Sequence, residues 1–334
     1  MSSGLAPEVA AEAAEDFLSR LELFTGLPEQ LIARIVPMLR PFDAGAGTML
    51  FRQGDPGGRM FAIEHGLVEV AAHLPGERDM RLATLGPGEL VGELSLVNGG
   101  RRTASVRMLQ DTAGYTIDAR AFELLRGDLS PGALELSRRL SEIAVGRVRR
   151  AYARLMERLG GGEEAARPWA GPGGIGEVGP ERGESAYLSR LLFFRDFEIE
   201  QIPTVLTGMR RLAMPRGALL RDDGERPDAL LLVLRGAVEV TIRGSGMAAR
   251  VLLAGPGRAA GHLGVMDDDV SIGVFRARER SIVLEVPRDR IGEFELDPRP
   301  AAQRFVRALY QDVVRALEQA ERPLARMAAS GKGH

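Results

Sequence analysis

Short apolar runs separated by glycine turns fill two long stretches of the chain. In the first stretch they lie at 48–52, 59–64, 67–73, 81–85, 103–108 and 114–117. Several alternate with a period of two, as Val68, Val70 and Ala72 do, which sends successive side chains to opposite faces of a strand. Many short strands with glycine at the corners, where φ is often positive, predict an antiparallel jelly-roll barrel. Helical patterns flank the strands, at 7–20 and 28–39 before them and at 131–159 after them. In the last of these, Leu136, Leu140, Ile143, Val148, Tyr152, Leu155 and Leu159 recur at roughly three-to-four spacing, as on one buried helix face. The second stretch follows the same plan and closes with a helix over 301–328.

The two stretches repeat each other. Gly47, Gly54 and Gly66 recur as Gly217, Gly224 and Gly236, always 170 residues later. Val68-Glu69-Val70 recurs as Val238-Glu239-Val240, and Gly86-Pro87-Gly88 as Gly255-Pro256-Gly257. Matches at a nearly constant offset mark a tandem duplication. Between the copies, 159–185 is rich in glycine, proline and charge and has no apolar period, so it reads as a flexible linker. The predicted organisation is a helical extension at 1–23, a first domain at 24–159, a linker at 160–185, a second domain at 186–328 and a disordered tail at 329–334. The predicted class is mainly β with flanking helices (α+β): two tandem antiparallel barrels, each with N-terminal helices and a C-terminal lid helix.

Composition removes several chemistries. The 334 residues contain no cysteine, which excludes disulfides, thiol nucleophiles and cysteine metal sites. Four histidines, none spaced as a helix-borne pair, give no expected metal site. A formal net charge of −2 carries no nucleic-acid footprint over the chain. No apolar run is long enough to span a membrane, and the acidic start does not read as a secretory signal. The expectation is a cytoplasmic protein. No nucleophile elbow, phosphate-binding Walker loop or kinase motif occurs, so no catalytic residue, enzyme activity or cofactor is expected.

The segment 86–106, GPGELVGELSLVNGGRRTASV, carries chemistry. Gly92-Glu93-Leu94-Ser95 follows a strand and opens a short turn whose backbone N–H groups can converge on an anion. Arg101-Arg102-Thr103 follows, and arginine offers a planar fork of donors matched to phosphate oxygens. A carboxylate beside a phosphate site makes sense when the ligand also presents hydroxyl donors, as a ribose does. Gly92, Glu93, Leu94, Ser95, Leu96, Arg102, Thr103, Ala104, Ser105 and Val106 resemble the phosphate-binding cassette of the cyclic nucleotide-binding domain family. The wording around Arg102 is especially similar to cassettes of cyclic-nucleotide-modulated channels. The resemblance implies that Arg102 pairs with the exocyclic phosphate oxygens. It implies donation to phosphate from the backbone at Glu93, Leu94 and Ser95 and at Thr103 or Ala104, and that Glu93 accepts from the ribose 2′-hydroxyl. Thr103 permits cGMP without demanding it, so cAMP and cGMP both stand. The lid helix usually caps the base; Tyr152, Arg147 and Arg150 are candidates.

The second copy departs from the pattern. Gly261-His262-Leu263-Gly264 aligns with Gly92 to Ser95, so His262 replaces the carboxylate. Val270 or Ser271 stands where Arg102 stands, and Asp267-Asp268-Asp269 fills the loop as a solvated turn. Three carboxylates repel a cyclic phosphate, so no cyclic nucleotide is expected there, and the second barrel reads as a structural or partner-binding module.

The arginine-rich helix at 132–158 reads as the solvated face of a lid, and its apolar stripe suits a homodimer seam similar to that of bacterial cyclic-AMP receptor regulators. Those regulators place a DNA-reading domain directly after this helix, whereas here a second barrel follows, with too little sequence beyond it for such a reader. Direct DNA binding is not expected. The tandem arrangement is similar to regulatory subunits of cyclic-nucleotide-dependent kinases, without a convincing inhibitory segment. The expected function is a cyclic nucleotide receptor whose ligand in the first barrel closes the lid helix and changes binding to an unidentified effector protein. The alternative is a nucleotide-free scaffold built from the same two barrels.

Overall fold

A computed structural model of the chain describes residues 7–72, 80–98, 101–118, 131–159, 174–243 and 248–330. The chain divides into two compact units, Met1–Ser141 and Glu142–His334. The division falls inside the long helix Pro131–Arg158.

In the first unit, strands β1 (Arg40–Ala44), β2 (Met49–Phe51), β3 (Arg59–His65), β4 (Val68–Ala72), β5 (Met80–Leu85), β6 (Leu90–Val91), β7 (Ser105–Met108) and β8 (Thr112–Asp118) form two antiparallel four-stranded sheets. Their orders are β1-β8-β3-β6 and β2-β7-β4-β5, the interleaving of a jelly roll. Ile63, Val68, Val70, Val91, Val106 and Met108 form the core cluster, and Phe42 and Phe51 pack against it. Strand β1 is not among the apolar runs, because Arg-Pro-Phe-Asp-Ala alternates over only two apolar positions, the half-buried Phe42 and Ala44, after an exposed arginine and proline. It lies at a sheet edge, where proline is tolerated.

The helix Pro7–Arg20 agrees with its apolar period. The pattern at 28–39 becomes an α-helix, Glu29–Ile35, and a 3₁₀ turn, Val36–Met38, because Pro37 has no N–H to extend the α-helical ladder. Near the start of the long helix, Arg139 Nη1 donates to the carbonyls of Leu23 at 3.2 Å and Thr25 at 2.6 Å. Glu135 holds Arg138 and Arg139 at 2.7 and 2.8 Å, so these arginines pin the helix rather than only facing solvent. Hydrogen bonds from Arg138, followed by those from Arg139, outweigh burial and hold the Glu135 carboxyl down at about 2, below its ordinary 4.5. A depressed folded-state pKa stabilises fully above the unfolded value and is lost as pH falls through the folded one. Thermal melts between about pH 5 and pH 2 are expected to show a steeper loss for the wild type than for Glu135→Gln; parallel profiles would remove this pair from the account.

The second unit repeats the topology. β11 (Leu219–Arg221), β16 (Val274–Ala277), β13 (Val238–Arg243) and β14 (Ala248–Ala254) form one sheet in that order. β15 (Ala259–Ala260), β12 (Ala229–Arg235), β17 (Ser281–Pro287) and β10 (Arg210–Met214) form the other. A short strand β9 (Gly176–Glu177) adds to the β10 edge. Residues from 176 onward in the segment expected as linker are therefore structured. Glu184 pairs with Arg211 at 2.8 Å and Glu181 with Arg235 at 2.7 Å, anchoring the segment by contacts that its glycine-rich composition does not reveal. Residues 160–173, with Trp169, lie outside the described residues. The closing helix is Pro300–Ser330. It runs past the expected boundary at 328 through Ala328, Ala329 and Ser330, where alanine sustains the helix; 331–334 lie outside the described residues. Two tandem antiparallel jelly rolls with flanking helices are the architecture of this chain. Among the described residues no helix is long and apolar enough to cross a membrane.

Candidate functional site

The cassette lies between β6 and β7. Gly92, at φ +82°, ends β6 and turns the chain into the short helix Glu93–Asn98. Glu93 is fully buried, and Ser95 Oγ donates to the Gly92 carbonyl at 2.8 Å. Across from this turn, the loop before β7 is held by paired backbone bonds: Gly54 N–H donates to Arg102 O and Arg102 N–H to Asp55 O, each at 2.9 Å. That fixes the root of Arg102.

The Arg102 side chain crosses to the turn. Its Nη1 donates to Arg59 O at 2.6 Å, Ser95 Oγ at 2.9 Å and Gly92 O at 3.2 Å. Its Cζ sits 3.9 Å from the centre of the Phe51 ring, within cation–π range. The side chain is buried, and among the described residues its Nε has no hydrogen-bond partner. Burial pushes the Arg102 pKa down; the Glu93 carboxylate opposes this, Arg59 adds to it and Asp55 opposes it. A buried guanidinium with an unspent donor is a costly arrangement that a bound anion relieves.

The structure thus brings Gly92, Glu93, Ser95 and Arg102 together. Leu94 and Ala104 are buried apolar residues, so only their backbones are available to a ligand. Thr103 is half-buried beside Arg102. Arg101 is exposed and donates to Gly54 O at 2.6 Å. Sequence reasoning missed the cradle of Phe51, the Arg59 carbonyl and Phe61, because none belongs to the motif. Their signal is only that β2 and β3 border the turn. Of the proposed base-capping residues, Tyr152, Arg147 and Arg150 fall in the unit Glu142–His334, and burial pushes the Tyr152 hydroxyl pKa up.

In the second barrel His262 is buried, with Nε2 3.3 Å from Asp312 Oδ2. The acidic turn is not simply solvated. Asp267 Oδ2 accepts from Arg149 Nε at 2.6 Å, Asp269 pairs with Arg149 at 3.2 Å, and Asp268 pairs with Arg288. Asp267 Oδ1 also accepts from Gly264 N–H at 2.6 Å. Among the described residues no histidine and carboxylate group is arranged to hold a metal ion.

The sequence model of the cyclic nucleotide-binding domain matches residues 42–126 and again 211–295, more than half of the chain. A CRP-like cAMP-activated global transcriptional regulator of Mycobacterium tuberculosis is 29% identical over 143 residues, 43% of this chain and 62% of that protein. The acetyltransferase Pat of Mycolicibacterium smegmatis is 33% identical over 108 residues, 32% of each chain. Isozyme 1 of the cGMP-dependent protein kinase of Drosophila melanogaster is 36% identical over 123 residues, 35% of this chain and 16% of that one. The chain thus spans less than two thirds of each of these relatives. Among solved structures, the regulatory domain of Toxoplasma gondii PKA with cAMP is 18% identical, with 86% of this chain and 93% of that chain covered and a TM-score of 0.34. The two matched segments coincide with the two jelly rolls, and the chain belongs to the cyclic nucleotide-binding domain family.

Proposed function

We propose that the first barrel is the receptor site for a cyclic purine nucleotide, cAMP or cGMP. One observation carries the reading: a buried guanidinium, anchored through Nη1 and with Nε unspent, lies close enough to the buried Glu93 to feel its charge. Arg102 pairs with the phosphate, the backbone at Glu93, Leu94 and Ser95 and at Thr103 or Ala104 donates to it, and Glu93 accepts from the ribose 2′-hydroxyl. Relatives named for cAMP and for cGMP leave both purines in play. The ligand acts by preferring the lid-closed state, since only differential affinity shifts a conformational equilibrium. The lid is the helix around 121–159, of which 121–130 lie outside the described residues. The output is altered binding to an effector protein, with a homodimer through the lid helices as one route. The protein performs no chemistry of its own and works in the cytoplasm without contacting DNA directly. The domain division at 24–159 and 186–328 belongs to the same proposal.

Calorimetric titration of the purified chain with cAMP and with cGMP tests it. Saturable binding at the first barrel supports the receptor. A folded chain that gives neither heat nor thermal shift favours the scaffold instead. Glu93→Gln gives a sharper test. Against wild type it is expected to lose part of the preference for cAMP over its 2′-deoxy analogue, because a neutral amide oxygen accepts from the 2′-hydroxyl more weakly than a carboxylate. A preference unchanged by the substitution would move the ribose contact elsewhere.

A further inference from the structure

The second barrel has Ser271 at the position of Arg102, yet the backbone there is placed alike. Gly224 N–H donates to Ser271 O at 3.0 Å and Ser271 N–H to Glu225 O at 2.7 Å, repeating the bonds of Gly54, Arg102 and Asp55. The guanidinium returns from a different strand. On β2 and β7, Phe51 faces Val106; on β11 and β16, Arg221 faces Phe275. Arg221 therefore takes the position of Phe51, and the ring moves to the opposite strand.

The head of Arg221 reaches the cradle of its own barrel that is equivalent to the one the head of Arg102 occupies in the first. Arg221 Nη2 donates to Ala229 O at 2.5 Å, and Ala229 follows by 170 residues the Arg59 whose carbonyl receives Arg102. A Cβ on Gly261 would lie well inside 3.0 Å of Arg221 Nη1, as one on Gly92 would of Arg102 Nη1. Both glycines have positive φ, +92° and +82°. Arg221 Cζ lies 5.1 Å from the centre of the Phe275 ring.

This second guanidinium is also underused. Arg221 is 7% exposed, and among the described residues its Nη1 has no hydrogen-bond partner. Ser271 Oγ, in a residue 1% exposed, has none either. A structural arginine in so buried a place normally has its donors satisfied. The acceptor side differs from the first barrel. His262 replaces the carboxylate and sits against Asp312, which also receives Ala259 N–H at 2.8 Å. The Gly264 N–H is already taken by Asp267, so an entering anion depends on the guanidinium more than on the turn.

We propose that the second barrel binds a small phosphate-bearing anion through Arg221, with Ser271 as a second donor, and does not select for a ribose 2′-hydroxyl. This rests on the first-barrel reading only for the role of the guanidinium head. The full chain carrying Arg102→Ala silences the first site and is titrated with inorganic phosphate and with 2′-deoxy-cAMP. One saturable event per chain is expected, weakened about tenfold or more by adding Arg221→Met, the loss that removal of one fork from a charge pair brings. A response to phosphate identifies a free phosphate; a response to the nucleotide alone identifies a phosphodiester. Without ligand, Arg221→Met is expected to melt at or above the parent temperature, because an apolar side chain replaces an underpaired buried charge. A purely structural arginine would lower it. Arg102→Gln, which also removes the first-site cation, replaces the Arg102→Ala background if that variant does not fold. A folded chain that binds neither probe, or binding that survives Arg221→Met, overturns the proposal. Failure of the first-barrel reading shows separately, as wild-type chain that takes up neither cAMP nor cGMP in a site sensitive to Arg102.

Discussion

Arg102→Ala is expected to weaken cyclic nucleotide binding by about 30- to 4,000-fold while leaving the chain folded. Removing one partner of a desolvated charge pair typically costs about 2–5 kcal/mol, and each 1.4 kcal/mol is about tenfold in affinity. The upper part of that range applies when the second charge remains buried and unpaired, as a cyclic phosphate in the cassette would. Stability responds less. The substitution strips a donor from Arg59 O and Ser95 Oγ, but it also removes a buried cation whose Nε has no partner, and these effects oppose each other. Ser95 Oγ keeps its own bond to Gly92 O, so the turn retains a tie. Arg102→Lys keeps the charge and loses the planar fork, and is expected to fall between wild type and alanine. Calorimetry with cAMP and cGMP, beside a melting curve for each variant, reads both effects. Wild-type affinity in a folded Arg102→Ala chain would end the receptor reading.

The first candidate site was legible because its parts are contiguous. Gly92 to Ser95 and Arg102 to Ala104 lie within thirteen positions, and their residue types carry phosphate chemistry on their face. The repeat was legible because barrel corners need glycine, and glycine survives where side chains drift. Arg221 was not legible. Comparison position by position finds Ser271 under Arg102 and reports a loss. Only the pairing of β11 with β16 shows that guanidinium and ring have exchanged strands around one cradle. The acidic turn misled for a related reason: its counter-charge, Arg149, lies 118 residues before Asp267. Strand β9 escaped because two residues at a sheet edge carry no period.

Gly92→Ala against Gly88→Ala is expected to separate the site from the fold around it. Both glycines have positive φ, +82° and +84°, where a Cβ costs roughly 1–2 kcal/mol. That predicts a fall in melting temperature of a few degrees for either variant. They differ in what the new methyl group meets. At Gly88 nothing lies within 4 Å. At Gly92 the Cβ falls well inside 3.0 Å of Arg102 Nη1 and about 3.0 Å from the Arg59 carbonyl. The backbone carbonyl is held in β3, so the guanidinium must give way. It sits at the end of a flexible side chain, and the barrel can tolerate the shift. The ligand cannot, because a displaced head gives up both its anchor on Arg59 O and its aim at the phosphate. Gly88→Ala should therefore keep nucleotide affinity within about twofold, while Gly92→Ala loses at least about tenfold, the effect of some 1.4 kcal/mol at the charge pair. Equal affinities in the two variants would mean that the position of the Arg102 head does not hold the ligand.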